Sequence, residues 1–77
     1  MPRFTLIVRY GEDPEEHRHA VDVIGREAAG DMGVQLLEAS TADAGSVAVA
    51  LGEGDDLDWL GVYDWERGRP AVWSPDD

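Results

Sequence analysis

The run Glu53-Gly54-Asp55-Asp56-Leu57-Asp58-Trp59 places four carboxylates within six residues and an indole directly after them. Carboxylates this close raise one another's proton affinity unless a cation or a basic partner neutralises them. The chemistry on offer is therefore cation binding or docking to a basic surface. An aromatic anchor ringed by acids suits an Arg-rich protein surface. Glu53, Asp55, Asp56, Asp58 and Trp59, with Asp64, Trp65 and Glu66 a few residues on, form the candidate partner-binding set. The competing reading is a solvated acidic loop whose Trp59 and Leu60 turn into the core.

Other chemistries find less support. A calcium loop beginning at Asp56 would place Asp58 third and Gly61 sixth. It fails at Leu60, where an oxygen ligand is needed, and at Arg67, where the bidentate acid should stand. A looser calcium site is a minor alternative. His17 and His19, read as helical, do not share a face, and neither has a histidine four residues on. Trp59, Tyr63, Trp65 and Trp73 beside Asp64 and Glu66 have the residue types of a sugar-binding surface, but the chain is too small to enclose a substrate. No serine has a nucleophile-elbow context and there is no phosphate-binding glycine loop. The expectation is a protein that is not an enzyme and uses no metal or cofactor.

Charge narrows the class further. The 77 residues carry a formal net charge of −11, and no Lys, Arg or His lies between Arg26 and Arg67. Those 40 residues hold ten of the 17 acids. Self-repulsion opposes compaction, so such an uneven distribution is not a requirement of folding. Direct binding of nucleic acid or of an anionic membrane is disfavoured, because both need clustered bases. Lysine and asparagine are absent and all six bases are Arg, as a GC-rich genome or a salty cytoplasm would favour. There is no cysteine, hence no disulfide framework or thiolate metal site. No secretory or membrane-spanning run is seen, and a cytoplasmic location is expected.

The elements that must position these residues follow from periodicity. Residues 3–10 alternate, with Phe4, Leu6, Val8 and Tyr10 on one face, and read as a half-buried strand. Asp13, Pro14 and Glu16 read as a helix start. Ala20, Val21, Ile24, Ala28 and Met32 then form an apolar stripe that Gly30 or Gly33 ends. Val34–Ser40 and Ser46–Leu51 read as strands joined through Thr41–Gly45. Residues 55–60 read as a short helical turn, and 62–65 and 70–73 as a last hairpin with Pro70 marking an edge. The expected fold is a single α+β domain over 1–77, with one helix on a mostly antiparallel sheet of four or five strands. Its order is β-α-β-β-(turn)-β-β, with a frayed tail at 74–77. A true helix at 55–60 would make the first part ferredoxin-like.

Two functions fit. The first is an inhibitor or antagonist of a nucleic-acid-binding protein, presenting carboxylates where phosphates would lie. Small acidic anti-restriction, anti-CRISPR and antitoxin proteins work in this manner, the similarity being one of charge and size alone. The partner is then a basic protein. The second is a small adaptor or dimerising domain whose acidity serves solubility.

Overall fold

The computed structural model describes residues 2–76. The chain runs β1 (Arg3–Tyr10), β2 (His17–Asp22), α1 (Arg26–Ala39), β3 (Ala44–Leu51), β4 (Asp58–Glu66) and β5 (Val72–Pro75). The five strands form one sheet in the order β2-β1-β3-β4-β5, every neighbouring pair antiparallel. Because β2 and β3 flank β1, they run parallel to each other. Their connection must therefore cross the sheet, and α1 makes that crossing. The class is α+β, as expected, but the order is β-β-α-β-β-β.

Two elements exchange their expected identities. Residues 17–22, expected in the helix, are the edge strand β2, paired with β1 from Val8–His17 to Arg3–Asp22. His17, His19 and Val21 are half-buried while Arg18, Ala20 and Asp22 are exposed, a period of two rather than 3.6. Asp13 caps no helix. Its Oδ1 accepts the Glu15 N–H at 3.0 Å, and its own N–H donates to the Tyr10 carbonyl, closing a hairpin turn. Conversely, residues 34–40, expected as a strand, are the second half of α1 with its C-cap Ser40. Gln35, Leu36, Leu37, Glu38 and Ala39 are all good helix formers, and adjacent Leu36-Leu37 breaks strand alternation. The five-residue hairpin loop expected at 41–45 is instead a helix-to-strand connection.

Gly30 and Gly33 do not end the helix; they let it approach the sheet. α1 buries Ala29, Gly30, Gly33 and Leu37, a stripe of mostly small residues. A Cβ on Gly30 would run into the Tyr63 ring, and one on Gly33 would sit 2.5 Å from Val47 Cγ1. The helix backbone thus rests directly on β3 and β4. Beneath it lie Phe4, Leu6, Val8, Val47, Val49 and Trp65, with Leu37 and Ala29 from above.

Residues 55–60 contain no helix, so the ferredoxin-like order is not formed: 52–57 is a loop and β4 begins at Asp58. Leu60 is an extra residue in β4, since Val49 opposes Gly61 while Ala50 opposes Trp59. This bulge leaves Leu60 packed against the core. Ser74 and Pro75, expected in a frayed tail, belong to β5, and the Asp76 N–H donates to the Leu60 carbonyl at 3.0 Å. Asp77 lies outside the described residues. β5 is an edge strand, as Pro70 implied.

Helix propensity favours Ala over Gly by about 1 kcal/mol. Steric contact at these two positions opposes it. Gly30→Ala and Gly33→Ala are each expected to destabilise by about 1–3 kcal/mol in urea unfolding. Gly25→Ala, where a Cβ meets nothing within 4 Å, removes only a tolerated N-cap residue and should cost no more than about 1 kcal/mol. A stability gain at Gly33 would show that the helix does not sit this close.

Candidate functional site

The candidate acids divide between two ends of the sheet. Asp58 opens β4 and Glu66 closes it, about 27 Å away along a nine-residue strand. Glu53, Asp55 and Asp56 occupy the loop at the Asp58 end and are exposed. Glu66 lies at the other end, 3.9 Å from Arg69 Nε. There, Asp64 and Glu66 share a shallow cleft with Glu12, Asp13, Arg9 and Arg69. The eight residues grouped by sequence therefore do not form one patch.

The loop at 52–57 is held at its base. Gly52 and Gly54 adopt φ of 101° and 70°, the region that favours glycine. The Gly52 N–H donates to the Arg3 carbonyl, and the Gly52 carbonyl accepts the Thr5 hydroxyl, both at 2.8 Å. Arg3 then forks. Its Nε and Nη2 donate to the two Asp22 oxygens at 2.8 Å, and its Nη1 to Glu53 Oε2 at 3.0 Å. One guanidinium thus ties the ends of β2 and β3 to the root of the loop. The hydrogen bonds from Arg3, helped by its charge and opposed by desolvation, hold the Asp22 carboxyl below its ordinary 3.8. Asp55, Asp56 and Asp58 take part in none of the four ion pairs found among the described residues.

The two tryptophans of the candidate set part company. Trp65 is only 5% exposed and lies in the core, so its indole is unavailable to a partner. The guanidinium of Arg67 stands 5.1 Å from its ring centroid. Trp59 pairs with Ala50 on the opposite face of the sheet, which no helix covers, and is 39% exposed. Asp64 lies on that same face beside Ser46 and Val72.

Arg67, which sequence reading passed over as a turn residue, closes the helix. Its Nη2 donates to the carbonyls of Ser40 and Ala42 at 2.9 Å, with longer bonds to Glu38. α1 has no basic residue in its last turn, so this cation from the β4–β5 turn meets its negative end. No local pattern reveals the contact, because 27 residues separate Arg67 from Ser40. The histidines sit on β2: His17 packs edge-on against Tyr10, and His19 Nε2 is buried without a hydrogen-bond partner among the described residues.

Among the described residues, no group of three or more His, Asp or Glu side chains comes together to hold a metal ion. No helix among them is long and apolar enough to cross a membrane. No protein family, curated protein or solved structure matched the chain.

Arg67→Ala should lower stability by about 1–2 kcal/mol through loss of the carbonyl clamp, measured by urea unfolding. Asp22 gives a pH signature. Its folded value is depressed, so its contribution is complete above 3.8 and is lost as pH falls through the lower folded value. The unfolding midpoint of Asp22→Asn should fall below that of the parent at neutral pH, and the two should converge as pH falls through the depressed folded value. A gap that persists in acid would assign the effect to shape rather than charge.

Proposed function

We propose that the protein is a non-enzymatic, cytoplasmic binding protein that offers its carboxylates to a basic surface. In this reading it acts as an inhibitor or antagonist of a nucleic-acid-binding protein. The support comes from the loop at 52–57: its base is fixed by Arg3, Thr5 and two left-handed glycines, while Asp55, Asp56 and Asp58 are exposed with no ion-pair partner among the described residues. A fixed display lowers the ordering cost of binding. A net charge of −11 on 8.4 kDa would also speed encounter with a basic groove. The contact set is Glu53, Asp55, Asp56 and Asp58, with Trp59 exposed beside them on the helix-free face; Asp64 and Glu66 lie toward the other end of the sheet and Trp65 is buried.

The test is affinity capture from lysate of the source cells at low salt, with elution by a salt gradient. One dominant nucleic-acid-binding protein, competed off by DNA or RNA and lost with Asp55→Lys/Asp56→Lys/Asp58→Lys, is the expected result. A broad set of basic proteins released together at modest salt, or full binding by the triple variant, would overturn the reading. Acidity serving solubility would then remain as the explanation of the charge.

A further inference from the structure

The sheet has two faces and α1 covers one. The other follows from the register. Across β1, β3 and β4 it presents three rows: Thr5, Ala50, Trp59; then Ile7, Ala48, Val62; then Arg9, Ser46, Asp64. Arg18 and Ala20 continue it on β2, and Val72 and Ser74 on β5. Its central strand contributes only Ser46, Ala48 and Ala50, and Ala50, Thr5 and Ile7 are buried within the single chain. On one side stand Arg9 and Arg18, on the other Asp64. Arg9 and Asp64 lie one strand either side of Ser46, and neither belongs to an ion pair among the described residues.

We propose that two copies of this chain dimerise through this face, sheet against sheet, about a two-fold axis running along β3. Such an axis exchanges left for right and leaves each row at its height. Arg9 of each copy then faces Asp64 of the other, twice by symmetry. The half-buried Val62 and the exposed Trp59 of one copy lie opposite the β1–β2 side of the other, where Ala20 is exposed while Thr5 and Ile7 are already buried within the single chain. The small residues of β3 lie on the axis and let the larger flanks interdigitate. Packed sheets are about 10 Å apart and rotated by about 30°. That rotation displaces residues one strand from the axis by only about 2 Å, which an arginine spans. An unrelated acidic partner would match only the Arg side and a basic one only the Asp side; a second copy matches both.

The face measures about 20 × 25 Å, on the order of 500 Å² per copy and 1,000 Å² in total, the lower end for specific interfaces. The dimer is therefore reversible and concentration-dependent. The axis direction also places both acidic loops at the same end. The dimer does not depend on the mimic reading, since none of its contacts uses Asp55, Asp56 or Asp58.

Sedimentation equilibrium of the purified chain from about 1 μM to about 1 mM, near physiological salt, tests the proposal. The expected mass rises to twice that of one chain. Arg9→Glu alone and Asp64→Arg alone should each weaken self-association at least about tenfold. An equimolar mixture of the two variant chains should dimerise again, because each charge change meets its complement across the interface. Circular dichroism of each variant checks that it folds. A monomer at every concentration, assemblies beyond two, or variants that stay monomeric when mixed would overturn it.

Discussion

The contact on which this fold depends is the seating of a helix backbone on two strands with almost no side chain between. Gly30 meets the Tyr63 ring and Gly33 meets Val47, so α1 approaches β3 and β4 more closely than larger side chains would allow. The approach lets a 14-residue helix, about 21 Å long, close a core in a chain of only 77 residues. It also stacks the surrounding aromatics: Tyr63 lies 4.6 Å from Trp73, whose other neighbour is the Arg26 guanidinium at 4.2 Å. One helix cannot cover five strands. The β2 edge is left half-buried, and the far face of the sheet is left without a layer.

Arginine, scarce against 17 acids, is placed where it fixes connections. Arg3 joins β2, β3 and the acidic loop at one end of the sheet, and Arg67 joins the helix end and β4 at the other. Each satisfies groups that folding brings together from distant parts of the chain. Asp55, Asp56 and Asp58 have no ion-pair partner among the described residues. Their charge is exposed on a loop held at its base by Arg3 and Thr5.

The distribution of charge changes between one dimension and three. Along the chain, the acids crowd between Arg26 and Arg67. In the fold Glu27, Asp31 and Glu38 lie on α1, while antiparallel strands carry 53–58 to one end of the sheet and Asp43 and Glu66 to the other. There they join Glu12, Asp13, Glu15 and Glu16 of the first hairpin. Both poles are therefore acidic, and the pole at 52–58 is the one whose acids are contiguous in sequence.

By itself the sequence determined the class, the strands with strict alternation and the acidic loop. Arg3–Tyr10 and Ser46–Leu51 alternate under any reading, and the turn at Glu66–Arg69 and the edge at Pro70 are written in local chemistry. The helix and β2 were decided by tertiary structure. Ala20, Val21, Ile24, Ala28 and Met32 do recur at helical steps, yet residues 17–22, which overlap the start of that stretch, gain a full ladder with β1, and only Ala28 and Met32 are helical. The true helix carries its contact surface in glycines and an alanine, which no count of large apolar side chains detects. Likewise, nothing local separates Trp59 from Trp65. A bulge at Leu60 and the register against β3 set which indole enters the core, and register is a property of paired strands, not of one.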